Sequence, residues 1–175
     1  MQNVLDQPQL WNTVLGVIAS ASGFTLLALS LFRKKGVDIA LLAFGATSFL
    51  YGLRILIGIQ LSMFISEEPP RILLYVIAFI TYIIPFTLTA FLYNLFGRGW
   101  KDSFLWVLRV TVLFSVTGIV SDLFLSEPFS LSVVNNVLVI LWAVLMFVNV
   151  FGSSLKTNSE LRVVMIGFLI FGVFA

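Results

Sequence analysis

The chain has 175 residues, 60% of them hydrophobic and only 10% charged, with a formal net charge of +2 and a mean hydropathy of +1.10. A soluble domain is nearer half apolar and a quarter charged, so this composition belongs to an integral membrane protein whose basic residues serve loops and not a nucleic-acid face. The chain has no cysteine and no histidine, which excludes disulfides, thiolate sites, the commonest metal ligand, the usual general base and a phospho-accepting histidine.

Taken in order, the chain opens with a polar segment, Met1 to Leu10, in which Asp6 is the only charged side chain. A first apolar run covers about 11–32. It is too long for a signal-peptide core and has no basic segment before it. Its basic flank, Arg33-Lys34-Lys35, follows it. The small residues Gly16/Ser20 and Ala19/Gly23 are spaced for close approach of a neighbouring helix, or simply reflect how common small residues are in membrane helices. A second run covers about 37–59, and the loop after it, Ser66-Glu67-Glu68-Pro69-Pro70-Arg71, is acidic and closed to helix by its prolines. The third run, about 72–96, carries Pro85 near its middle. Proline removes a backbone donor there, so Pro85 is a candidate hinge, with a static kink as the plainer alternative. Gly97-Arg98-Gly99-Trp100-Lys101-Asp102 then makes a basic turn with an interfacial tryptophan. Runs at about 104–125 and 131–152 follow, separated by Ser126-Glu127-Pro128-Phe129-Ser130. A sixth begins at Val163 and reaches Ala175. Thirteen residues rise only about 20 Å against a hydrocarbon core of about 30 Å, so this span reads as incomplete and the chain as the front of a longer protein or a truncated gene.

The expected fold is therefore all-α, a single polytopic transmembrane bundle over residues 1–175 with six spans begun. Alternate loops hold Arg33, Lys34, Lys35, Arg98, Lys101, Lys156 and Arg162 on one side and Arg71 alone on the other. The positive-inside rule then places the amino terminus outside and the basic loops in the cytoplasm, for a multi-pass protein of a bacterial inner membrane.

Three polar groups fall in the outer third of the spans on this topology: Arg54, Asp122, and the pair Asn135-Asn136. An intramembrane charge costs several kcal/mol unless paired or wetted. The cheapest arrangement pairs Arg54 with Asp122 and lets the asparagines complete the hydrogen bonds. Tyr51 shares the helix face of Arg54, and Tyr75 lies at a similar depth. Two readings stay open. One is a pocket, open to the outside, that binds a small polar or anionic ligand through Arg54, Asp122, Asn135, Asn136, Tyr51 and Tyr75. The other is a structural ion pair, or simple snorkelling of Arg54 to the headgroups. Arg109, near the inner end of its span, is expected to snorkel likewise. No phosphate loop, metal-ligand cluster or paired catalytic carboxylates occur in the sequence, so no enzyme activity, cofactor or metal is expected of this chain.

The order Leu-Ala-Phe-Gly…Leu-Tyr-Gly-Leu-Arg54, Ile80-Thr-Tyr-Ile-Ile-Pro85, Phe96-Gly-Arg-Gly-Trp-Lys101, Trp106-Val-Leu-Arg109, Asp122 and Asn135-Asn136 resembles the amino-terminal membrane module of a group of bacterial signalling proteins. These are similar to the seven-transmembrane receptors with diverse intracellular signalling modules. The resemblance reaches to about Gly152. It implies a sensory input module, a homodimer, and a cytoplasmic signalling domain in cis, either a SpoIIE-type serine phosphatase or a histidine kinase of a two-component system. A small-solute transporter or channel with Arg54 and Asp122 along its path, and a membrane scaffold or anchor subunit, are the alternatives.

The loop charges yield a direct expectation. A periplasm-active reporter fused after Glu67 is active and one fused after Lys101 is not, with the reverse for a cytoplasm-active reporter. The opposite pattern would invert the topology.

Overall fold

The computed structural model describes residues 7–32, 37–62 and 69–153. They form five α-helices: α1 Gln7–Leu31, α2 Ile39–Ser62, α3 Arg71–Phe96, α4 Ser103–Leu125 and α5 Ser132–Ser153. One 3-10 turn, Trp100–Asp102, precedes α4. No strand occurs among the described residues. Helices α1 to α4 are each long and apolar enough to cross a bilayer. The expected span at 163–175 lies outside the described residues.

Local chemistry sets the helix ends. α1 starts four residues before the apolar run, because Pro8 falls in the first turn, where a helix needs no backbone donor. Asp38 caps α2, its Oδ1 accepting the Leu41 N–H at 3.1 Å. α2 runs on to Ser62, whose hydroxyl donates to the Ile59 carbonyl at 2.7 Å. α3 begins after Pro70 and ends at Gly97, where φ is +74° and the N–H donates to the Tyr93 carbonyl at 2.9 Å. Between α3 and α4 the backbone is left-handed at Gly97, Gly99, Lys101 and Asp102. That makes the reversal tight.

Successive helices run antiparallel, and the residues that meet show it. In the α1–α2 contact, Gly16 faces Leu56, Ser20 faces Gly52, Gly23 faces Phe49 and Leu27 faces Gly45. Two glycines seven residues apart on each helix keep the same face to the partner. A Cβ on Gly23 would stand 2.7 Å from the Phe49 Cα and 2.8 Å from the Gly45 carbonyl oxygen. The backbones are therefore in contact, which is the small-residue mode of packing in a solvent where apolar side chains gain nothing by leaving lipid. The expectation for Gly16, Ser20 and Gly23 holds. On its other faces α1 exposes Trp11, Leu15, Ile18, Phe24 and Leu31.

α3 is the centre of the bundle. It packs on α2 along one flank and on α4 along the other, and nine of its residues are buried against three of α2. One apolar cluster lies toward the α3–α4 reversal: Ala43, Phe91, Leu92 and Phe104, with Phe44 and Trp142 against it. The second, Ala78, Tyr82 and Phe114 with Phe129, Leu131 and Leu138, lies toward the other end. Through Trp142 and Leu138, α5 closes over both clusters.

The α1–α2 contact predicts an asymmetry among glycines. Gly23→Ala lowers the thermal stability of the purified protein by about 1–3 kcal/mol, the usual range for overpacking. Gly58→Ala, whose new Cβ meets only Ile77 Cδ1 at 3.9 Å, leaves stability unchanged or raises it by up to about 1 kcal/mol through helix propensity. Equal effects at both positions would contradict the backbone contact.

Candidate functional site

Inside an apolar bundle each polar side chain has to find a protein partner, and the partners here cluster on one turn of α3. Thr81 and Tyr82 are consecutive residues, so their side chains leave the helix about 100° apart. Thr81 faces α2. It accepts the Nε–H of Arg54 at 3.1 Å, and its own hydroxyl donates to the Ile77 carbonyl at 2.7 Å. Tyr82 faces α4. Its ring is fully buried, lies over Gly118, and meets Phe114 edge-on at a centroid distance of 5.4 Å. A Cβ on Gly118 would come within 2.9 Å of that ring.

The Tyr82 hydroxyl reaches the end of α4 and donates to Asp122 Oδ1 at 3.2 Å. Asp122 is fully buried. Its carboxylate also accepts the backbone N–H of Phe129 at 3.0 Å, the N–H of Ser130 at 3.0 Å and the Ser130 hydroxyl at 2.6 Å. The next N–H, of Leu131, donates to the Tyr82 hydroxyl oxygen at 3.3 Å. Three successive N–H groups thus converge on the carboxylate and the phenol, an anion-binding nest closed by a side chain of the same chain. The arrangement holds Phe129 at φ +67° and follows Ser126 at φ +55°, conformations that non-glycine residues seldom adopt.

Two further hydroxyl contacts tie α3 to its neighbours. Thr47 and Thr87 hydrogen-bond across α2–α3 at 2.9 Å. Across α3–α4 the Ser115 hydroxyl lies 2.7 Å from the Tyr82 carbonyl and 2.8 Å from the Thr111 carbonyl. α3 continues through Pro85, which is buried. Proline supplies no N–H to the Thr81 carbonyl one turn earlier. The polar contacts from α4 therefore fall on the turn whose backbone hydrogen bonding proline weakens, and Thr89 Oγ1 donates to the Pro85 carbonyl at 2.6 Å.

The expected Arg54–Asp122 pair is not what the structure holds. Arg54 lies on the α2 flank of α3 and Asp122 on the α4 flank, with α3 between them. Arg54 is exposed and bonded to Thr81, whereas Asp122 is buried and saturated by donors from the turn after its own helix. The two bond to adjacent residues of α3, Thr81 and Tyr82. The asparagines do not join either group. Asn135 is buried at the start of α5, where its N–H donates to Leu131 and its Oδ1 has no hydrogen-bond partner among the described residues. Asn136 is exposed. Tyr51 is half-buried one turn from Arg54, and Tyr75, also half-buried, packs on Phe79 at 6.2 Å between ring centroids.

Tyr82, Thr81, Ser115 and Ser130 are the residues that sequence reasoning passed over. Their signal was a run of hydroxyls in otherwise apolar segments, with Thr81 and Tyr82 one turn before a proline. Comparison with protein-family models, with curated proteins and with solved structures returned no match.

The geometry predicts a weakly coupled double-mutant cycle. Asp122→Ala leaves two backbone N–H groups and the Tyr82 O–H without an acceptor and destabilises the protein by at least about 2 kcal/mol, and Tyr82→Phe by about 1 kcal/mol. Arg54→Ala combined with Asp122→Ala couples by no more than about 1 kcal/mol, the scale of an indirect contact through α3 and well below the roughly 3–5 kcal/mol of a broken buried ion pair. A coupling well above that in thermal unfolding would restore the ion pair.

Proposed function

We propose that the chain is the membrane-embedded sensory input module of a bacterial signal-transduction protein. The amino terminus lies outside, the spans cross the inner membrane, and the output domain lies in cis in the cytoplasm as a serine phosphatase or a histidine kinase. The observation that supports this reading is the shared turn of α3. Arg54 on one flank and the Asp122 latch on the other both bond to it, through Thr81 and Tyr82, just before Pro85. A polar or anionic ligand that draws the exposed Arg54 guanidinium off Thr81 alters the bonding of the same turn that holds Asp122 and Ser115. An element with two arrangements, biased at one end and read at the other, is what coupling between a stimulus and an output requires. Tyr51, beside Arg54 on α2, completes the outward-facing part of the site, and Pro85 is the hinge.

The test starts with the gene. The reading frame is expected to continue past the Ala175 codon into a soluble signalling domain. In that complete protein, Pro85→Ala and Arg54→Gln are expected to change basal output at least about fivefold, the lower end of ordinary allosteric coupling. A stop codon directly after Ala175, or solute flux in proteoliposomes that Arg54→Gln abolishes, would overturn the sensor reading, the second in favour of a transporter.

A further inference from the structure

The turn between α3 and α4 and the first two turns of α4 gather three cations and two indoles. Lys101 Nζ stands 4.6 Å from the centroid of the Trp100 ring, and the Arg109 guanidinium carbon stands 5.2 Å from that of Trp106. Arg98 lies 3.9 Å from Asp102, a loose contact with both side chains largely exposed. The other carboxylate described at this end, Asp38, caps α2. Lys101 and Arg109 thus lie against aromatic faces, with no carboxylate partner among the described residues. Among the described residues their charge is screened by no counter-ion, and both are exposed.

Arg109 also heads an apolar stripe. Leu108 flanks it, and Val112, Leu113 and Val116 follow it along one side of α4. Positions 109, 112, 113 and 116 recur at helical spacing on one face. Arg109 lies six residues into α4, about 9 Å from its start. Helical side chains lean toward the amino-terminal end, so the guanidinium is directed back over Trp106 toward the basic turn. The apolar stripe runs the other way, toward the middle of the helix.

We infer that this face of α4 is a binding site for one anionic phospholipid. Its phosphate sits between Arg109 and Lys101, bordered by Trp106 and Trp100, and an acyl chain lies along Val112, Leu113 and Val116. The inference rests on the membrane reading and goes beyond the sensory one. Charge chooses the occupant. A guanidinium presents paired donors that match phosphate oxygens, and the cations at this turn outnumber the carboxylates, which disfavours a headgroup carrying its own cation. Stacking on Trp106 holds Arg109 in place before the lipid arrives, so little side-chain entropy is lost on binding.

The test is native mass spectrometry of the full chain, purified in detergent and incubated with equal amounts of phosphatidylglycerol and phosphatidylcholine of identical acyl chains. The wild type is expected to retain phosphatidylglycerol at least about fivefold over phosphatidylcholine, the scale of one basic side chain at a membrane surface. Arg109→Gln is expected to bring the two lipids near parity. Val112→Trp, at an exposed position, places a bulky ring across the stripe, keeps every charge and is expected to lower phosphatidylglycerol retention as well. Equal retention of both lipids by the wild type, or either variant holding phosphatidylglycerol as the wild type does, would overturn the site. Such a failure in a protein that fractionates with membranes leaves the sensory reading standing. Recovery of the chain from the aqueous fraction would defeat both.

Discussion

The buried carboxylate of Asp122 constrains more of this structure than any other group. A charge inside an apolar bundle is tolerated only when its lone pairs are filled, and this one takes two backbone N–H groups, a serine hydroxyl and a phenol. Each donor then fixes something else. The N–H groups of Phe129 and Ser130 fix the left-handed turn into α5. The Tyr82 phenol fixes the distance between α3 and α4, and with it the need for glycine at position 118. The path from carboxylate to ring to glycine sets how far Phe114 and Leu138 are from α3, and so sets the second apolar cluster.

The two halves of the bundle are held by different physics. α1 joins α2 by backbone contact at glycines, with the Ser20 hydroxyl set against Gly52 and lacking a hydrogen-bond partner among the described residues. Dispersion between close backbones carries that contact, and it falls off steeply with separation. α3 joins α2 and α4 through aromatic contacts and hydroxyl hydrogen bonds, each of which averages well under 1 kcal/mol between membrane helices. Such bonds exchange partners easily. The first contact is stiff and sensitive to volume, while the second yields to small changes of bonding.

Much of this was legible in the sequence. All five described helices were expected at nearly their observed bounds, because runs of apolar residues between charged and proline-bearing loops are a strong signal. The Arg54–Asp122 pairing was not legible, because counting residues from the loops says nothing about which helix stands between. α3 does, and its two polar faces come from adjacent residues that a reading by charge alone ignores. The nest at Phe129–Leu131 was invisible for another reason. It is made of backbone N–H groups, which every residue but proline carries, and its positive φ values fall on serine and phenylalanine, where nothing marks them. The glycine contact was legible only on α1, as one of two readings of its small residues, while Gly45 and Gly52 on α2 were not read as part of it.

The Asp122 nest also bears on how the chain folds. Its backbone donors lie seven and eight residues downstream of the carboxylate, so the loop to be closed is short and its entropy cost small. The turn closes from residues 122–131 alone and needs neither α5 nor α3 in place. Three of the hydrogen bonds to the carboxylate are therefore local, and Tyr82, forty residues upstream, is its long-range partner.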